Sequence, residues 1–227
     1  MPRPYVLLSA ATSVDGYLDD SSAERLLLSN SADFDRVDQV RAESDAILIG
    51  AGTMRADNPR LLVNSAERRA ARVSAGKPEY PLKVTVSASG NLDADFKFWH
   101  HGGEKLAYTT DTGAEELRER LAGLADVVST GADIDFGRLL DDLGARGVER
   151  LMVEGGGQIH TAFLSQGLAD EIHLAIAPLV VGDPQAPRFL QAANYPGGST
   201  RRMHLAEART IGDVVLLRYL PKQESNA

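Results

Sequence analysis

Cysteine is absent from the 227 residues, which excludes disulfides, zinc–thiolate and iron–sulfur sites and a cysteine nucleophile. That absence is compatible with a cytoplasmic protein. No apolar run approaches the roughly 20 residues a transmembrane helix needs. The run Tyr5–Ala11 follows Arg3 but meets Asp15-Gly16 too soon for a signal peptide, so it reads as a first core strand. Positive charge is also in short supply. Lys and Arg number 24 against 32 Asp and Glu, a net charge of −8, and no basic run is long enough to offset it for a nucleic-acid partner. The densest basic cluster, Arg68-Arg69 with Arg72, is expected on a solvated face. The five histidines, His100, His101, His160, His173 and His204, show no metal-ligand spacing, and no metal site is expected. His100-His101, beside Trp99 and Gly102-Gly103, reads as an exposed loop. A G-x-S-x-G elbow is missing too, so Ser-His-Asp catalysis has no support.

What is present is an ordinary globular composition, 43% apolar and 25% charged. No repeat, low-complexity tract or linker interrupts it, and the reading is a single domain over residues 1–221 with a disordered tail at 222–227. Strands are expected at Val6–Ala11, Ala46–Ile49, Leu82–Val86, Lys105–Tyr108, Val127-Val128 and Leu151–Val153. Helices alternate with them. One over 32–43, capped by Ser31, should turn Phe34, Val37 and Val40 inward; Leu117, Leu121 and Leu124 mark a second. Phe136, Leu139, Leu140 and Leu143 mark a third, capped by Asp133 or Asp135. Residues 64–80 read as a surface excursion. Such alternation implies a parallel sheet flanked by helices. The last third differs. Glu171–Ala177 is strand-like, and Met203–Thr210 with Val214–Leu220 flank Ile211-Gly212-Asp213, a hairpin signature. The expected fold is therefore α/β, a mostly parallel central sheet with a C-terminal antiparallel hairpin.

Two strands end in glycine loops, where open α/β sheets bind ligands. Gly155-Gly156-Gly157 precedes a helical stretch with Ile159, Ala162 and Phe163 facing inward and Gly167 as its C-cap. Glycines let a phosphate approach backbone N–H groups, and the helix start adds partial positive charge. Gly50-Ala51-Gly52-Thr53 is a second such loop, read as having no helix behind it because Asp57-Asn58-Pro59 follows. Neither loop completes a G-x-G-x-x-G fingerprint, since His160 and Arg55 stand at the third glycine, and each alone could be a tight strand exit. Together they point to a dinucleotide site outside the Rossmann fold. Glu154 would repel phosphate and should face a hydrogen-bond donor of a substrate or ribose; the alternative is a helix-start acid. Asp57 and Arg41 have equally plain alternatives, a turn acid and a helix C-terminal cation.

Three stretches then carry a resemblance. They are Ser13-Val14-Asp15-Gly16, the run Asp45–Leu61 (DAILIGAGTMRADNPRL), and Val153–Gly157 followed by Gly167–Glu171 and Ala177–Gly182. In this order and spacing they resemble the pyrimidine reductase family of riboflavin biosynthesis, the RibD C-terminal domain with its dihydrofolate-reductase-like fold, over about residues 5–220. The resemblance implies an NADPH-dependent reductase. It would convert the ribosyl group of a 5-amino-6-ribosylaminouracil phosphate, or its diaminopyrimidine counterpart, to ribityl. It would act without the zinc deaminase that many relatives carry, and as a homodimer through the C-terminal part of the sheet. The cofactor would meet Ala11, Thr53, Asp57 and Gly155, Gly156, Gly157, Gln158, Ile159, His160, Thr161 and Ala162. The substrate would meet Arg41, Leu61 and Glu154, with Glu154 the catalytic candidate. Ser87 and Ser89 are candidates for the adenosine 2′-phosphate.

One position departs from the family. An arginine that grips the substrate phosphate commonly follows the D-D-P-R-L-T-V stretch; here Asn64 stands in its place. The first helix carries Asp33, Asp35 and Asp38, and a carboxylate there can bind a pterin ring in dihydrofolate-reductase-like enzymes. Dihydrofolate or another pterin is thus the alternative substrate, and an NADPH-binding sensor without turnover the alternative outside enzymes.

Overall fold

A computed structural model describes residues 2–22 and 24–224. In chain order it contains β1 (Tyr5–Thr12), α1 (Ser31–Glu43), β2 (Ala46–Gly50), α2 (Ala51–Asp57), α3 (Ala66–Ser74), β3 (Leu82–Val86) and α4 (Lys97–His100). Then follow β4 (Lys105–Thr109), α5 (Asp111–Arg120), β5 (Asp126–Ser129), α6 (Phe136–Ala145), β6 (Arg150–Val153), α7 (Gly157–Ser165), β7 (Glu171–Ile176), β8 (Met203–Ile211) and β9 (Val214–Glu224). These divide into two compact units. One comprises Met1–Pro4 and Asp38–Met152, the other Tyr5–Val37 and Val153–Ala227. The changeovers fall at the start of β1 and inside α1 and β6, so no linker composition marks them.

In the first unit the strand order is β5-β4-β3-β2-β6. The pairs β2/β3, β3/β4 and β4/β5 are parallel, with Ala46 opposite Leu82 and Lys83 opposite Lys105. Parallel strands are covered on both faces, which is why Ala46-Ile47-Leu48-Ile49 is apolar at every position and fully buried. Ile47, Ile49 and Ala107 pack with Met54 of α2, Leu61, Leu92, Phe98 and Trp99 of α4, and Leu117 and Leu121 at the end of α5. Asp135 caps α6 by accepting the Arg138 N–H at 3.0 Å, and Tyr108 of β4 donates to Asp142 of α6 at 2.6 Å.

In the second unit the order is β1-β7-β9-β8. β1 and β7 are parallel, from Leu7 opposite Glu171 to Thr12 opposite Ile176. β9 joins β7 antiparallel, and β8 closes the hairpin. The α/β pattern with an antiparallel C-terminal end is thus present as the sequence implied.

Several local expectations are corrected. Asn30, not Ser31, caps α1: its Oδ1 accepts the Asp33 N–H at 3.0 Å. Phe34 is 46% exposed, whereas Asp33 and Asp38 are buried on the inner face. A seven-residue helix, α2, does follow the Gly50 loop; it ends where Asn58 turns left-handed, at φ 40°. Part of the supposed surface excursion is α3, capped by Ser65. Arg72 is not solvated. It is 4% exposed and donates to the carbonyls of Ala42 and Ser44, each at 2.7 Å, and Pro78 at 2.9 Å. Lys222–Glu224, placed in the tail, continue β9, with Met203 opposite Glu224 and Lys222 on Asp170 at 2.6 Å. Residues 225–227 of that tail lie outside the described residues.

Candidate active site

The second unit carries the longer glycine loop. β6 is apolar and buried from Leu151 to Val153, and Glu154 follows, half-buried. Gly155 has φ 125°, a region that disfavours any side chain, and the Gly155–Gly156 peptide is cis. Gly156 is the N-cap of α7, and its carbonyl accepts the Ile159 and His160 N–H groups at 2.9 and 3.1 Å. No side chain caps α7 and no acid lies in its first turn. The same holds for α2 behind the other glycine loop, whereas α1, α3 and α6 are capped by Asn30, Ser65 and Asp135. The positive end of the α7 dipole is therefore left without a side-chain counter-charge in its first turn, which suits a phosphate or pyrophosphate.

Gly157 is required by close approach: a Cβ there would lie 2.1 Å from the Arg188 carbonyl oxygen. That carbonyl belongs to a segment fixed against the Gly16–Leu18 stretch. Leu18 donates to Pro187 O at 2.7 Å, Phe189 to Gly16 O at 3.1 Å, and Arg188 stacks 4.3 Å above the Tyr17 ring. The Ser13–Gly16 motif acts as a buckle. Asp15 accepts from Ser13 Oγ at 2.6 Å, Val181 N at 3.1 Å and Gly182 N at 2.8 Å. The Ser13 hydroxyl and these backbone donors hold its carboxyl down at about 2. Two of the sequence motifs are thus joined by one carboxylate.

The residues named on α7 divide by exposure. Gln158 is exposed, and Ile159, Thr161 and Ala162 are half-buried rather than core. Thr161 Oγ1 accepts from Gln191 N at 2.9 Å. The inner face is His160, Phe163 and Leu164. His160 is wholly enclosed, 5.1 Å from the Phe189 ring, and burial pushes its pKa down to about 3, so it is neutral. Its ring is turned into the protein, and any contact with a ligand at the loop would come from its backbone. Ala11, near the C-terminal end of β1, sits opposite Ala175.

The first unit holds the remaining candidates. Thr53 lies on α2 and Asp57 is its last residue; both are half-buried. Leu61 is 5% exposed with φ 50°. Arg41, in the last turn of α1, donates Nη1 to Leu62 O at 3.0 Å. Asp38 accepts from the backbone N–H groups of Asn64 and, at 3.1 Å, Ser65, and from Arg68 at 3.0 Å. Burial would raise the Asp38 carboxyl, but these donors outweigh it and hold it below its usual range. Asp33, in the other unit, accepts from Ser29 at 2.6 Å and Arg36 at 2.7 Å. The two buried carboxylates of α1 are therefore held by protein donors. Ser87 is buried at the end of β3, and Ser89 is exposed in the loop beyond it. Among the described residues no group of His, Asp and Glu is arranged to hold a metal. His100 and His101 are exposed, with Phe98 and Trp99 beside them buried in α4.

A family model of the RibD C-terminal domain matches residues 4–217. The chain belongs to the RibD C-terminal domain family. Within it, the chain is 38% identical over 194 residues to the 2,5-diamino-6-ribosylamino-4(3H)-pyrimidinone 5′-phosphate reductase of Archaeoglobus fulgidus, covering 85% of this chain and 89% of that protein. It is 31% identical over 222 residues to the reductase of the same name from Methanothermobacter thermautotrophicus, covering 97% and 99%. Among solved structures, RibD of Acinetobacter baumannii superposes with a TM-score of 0.80 at 25% identity; the match covers 97% of this chain but 59% of that longer protein. No helix among the described residues of this RibD C-terminal domain is long and apolar enough to cross a membrane.

Proposed function

We propose that the chain is an NADPH-dependent reductase that converts the ribosyl group of a pyrimidine ribosyl phosphate to ribityl in riboflavin biosynthesis. Near-full-length similarity to the reductases of Archaeoglobus fulgidus and Methanothermobacter thermautotrophicus carries this reading. The uncapped, acid-free start of α7 behind Glu154 supports it. When bound, NADPH supplies a hydride to the electrophilic C1′ of the substrate. Gly155, Gly156, Gly157, Gln158, Ile159, Thr161, Ala162 and the His160 backbone would hold the cofactor, with Ala11, Thr53 and Asp57. Ser87 and Ser89 are the proposed neighbours of its 2′-phosphate.

Arg41, Leu61 and Glu154 would meet the substrate. A guanidinium has five N–H donors, so the Arg41 bond to Leu62 O is compatible with a charge-assisted bond to phosphate, which Asn64 cannot provide. Glu154, which joins β6 to the glycine loop, is the carboxylate assigned to orient the substrate or hand it a proton, while Asp33 and Asp38 serve protein donors. The same two carboxylates give no support to a pterin site on α1. The protein would act in the cytoplasm. It would work as a homodimer, for which the exposed Met203, Leu205 and Val215 of the β8–β9 hairpin offer an apolar surface.

NADPH oxidation, followed by absorbance with the pyrimidine ribosyl phosphate in one cuvette and dihydrofolate in another, tests the reading. Turnover of the pyrimidine alone is expected. Turnover of dihydrofolate alone, or tight NADPH binding without turnover of either, would replace it with the pterin enzyme or the sensor.

A further inference from the structure

Lys83 stands where a parallel strand ordinarily places an apolar side chain. It is 1% exposed, in β3, and has no carboxylate partner among the described residues. Its Nζ donates instead to two backbone carbonyls, that of Phe98 and, at 3.0 Å, that of Arg60, and lies 4.5 Å from the Phe98 ring centre. Burying an amine this way is costly, and an apolar side chain of similar length would fill the space. What the amine adds is a tie between α4 and the loop after α2.

That loop contains two non-glycine residues in left-handed conformations, Asn58 at φ 40° and Leu61 at φ 50°. Such residues persist only where the surroundings over-determine them. Asn58 Oδ1 accepts the Lys97 N–H at 2.8 Å, Arg41 donates to Leu62 O at 3.0 Å, Arg69 donates to Val63 O at 3.1 Å and Asn64 O at 2.7 Å, and Asp38 takes the Asn64 and Ser65 N–H groups. Lys83 is the wholly buried member, and it grips the carbonyl directly before Leu61.

We infer that Lys83 is a positioning residue for substrate: by holding the Arg60 carbonyl it sets Leu61 and the adjoining backbone in the conformation the substrate meets. The inference rests on the proposed function for the ligand, and on the structure alone for the tie. Neutral or charged, an amine carries the two N–H donors the two carbonyls need. A merely structural lysine, by contrast, would affect stability and leave substrate affinity alone.

The test compares wild type with Lys83→Met and Lys83→Arg by steady-state kinetics on the pyrimidine ribosyl phosphate, NADPH titration, and amide hydrogen exchange over residues 60–65. In Lys83→Met the expected result is a KM raised about tenfold or more, with kcat and the NADPH Kd within about threefold. Faster exchange confined to Leu61–Asn64 should accompany it, and Lys83→Arg, which keeps N–H donors, should recover most of the KM. An unchanged KM in folded Lys83→Met, exchange that rises equally throughout the first unit, or no recovery in Lys83→Arg overturns the inference. Should Lys83→Met fail to fold, Lys83→Gln is read in the same way, and failure of both makes the lysine purely structural and overturns it too. If the wild type does not reduce the pyrimidine, the proposed function has failed; the exchange pattern still decides whether Lys83 holds the loop.

Discussion

Gly157→Ala is a small change aimed at the most tightly constrained point of the proposed phosphate cradle. The added Cβ would sit 2.1 Å from the Arg188 carbonyl oxygen, about 0.9 Å inside the 3.0 Å that real Cβ atoms respect. The obstacle is backbone, not the end of a flexible side chain. It cannot retreat easily, because Pro187 O and the Phe189 N–H are tied to Leu18 and Gly16 at 2.7 and 3.1 Å. Either the start of α7 or the 187–189 segment must therefore move by roughly an ångström. Overpacking of this kind costs about 1–3 kcal/mol of stability. A shift of about 1 Å in a positioning element costs about 10²-fold in function, so the NADPH Kd should rise about ten- to a hundredfold. Thermal melts with and without NADPH read both effects at once. The apo midpoint falls, and the ligand-induced rise shrinks because that rise follows the ratio of free ligand to Kd. A variant with wild-type NADPH affinity and a wild-type ligand-induced shift would show that the α7 start does not hold the cofactor.

Three further outcomes follow. Glu154→Gln should bind NADPH normally but lose about 10²–10⁴-fold in kcat if the carboxylate transfers the proton, as single-turnover kinetics would reveal. Arg72→Ala leaves the Ala42, Ser44 and Pro78 carbonyls without their donor and should lower stability by about 3 kcal/mol, read as a lower urea midpoint with an unchanged slope. Burial alone would raise the Glu171 carboxyl, but hydrogen bonds from His173 at 2.8 Å and Arg218 at 2.7 Å bring it down to about 2. Because the folded pKa lies below the ordinary 4.5, the unfolded chain takes up the proton first as pH falls. The stabilisation is complete above pH 4.5 and is lost between there and about 2, a difference on the order of 3 kcal/mol. Urea midpoints measured from pH 6 to 2 should fall in wild type and fall less steeply in Glu171→Gln.

The strands were legible because two-sided burial writes an uninterrupted apolar run, as at Ala46–Ile49, and because turn residues bound each run. The hairpin was legible through Gly212-Asp213, and the start of α7 through the glycines behind Glu154. What escaped depends on partners far along the chain. Asp38 faces inward against its helix pattern because its acceptors serve Asn64 and Ser65, 26 and 27 residues away. Arg72 is buried for a similar reason: the Ala42 carbonyl it satisfies is 30 residues off. Lys83 carries no signal in a strand that reads Leu-Lys-Val-Thr-Val, since its two carbonyl acceptors lie in other segments. α2 is seven residues long, too short for a helical period to show, and the Asn58-Pro59 pair masked it. On α7, periodicity chose Ile159 and Ala162 for the inner face, where His160 is buried instead, neutral against Phe189.

The proposed function stands on a hydride transfer to the ribosyl C1′. NADPH carrying deuterium at the transferred position of C4 tests it in one experiment, with the pyrimidine product analysed by mass spectrometry and NMR. A ribityl product with one deuterium, located at C1′, is expected. A product without deuterium, or label appearing only in tetrahydrofolate when dihydrofolate is supplied, would contradict it.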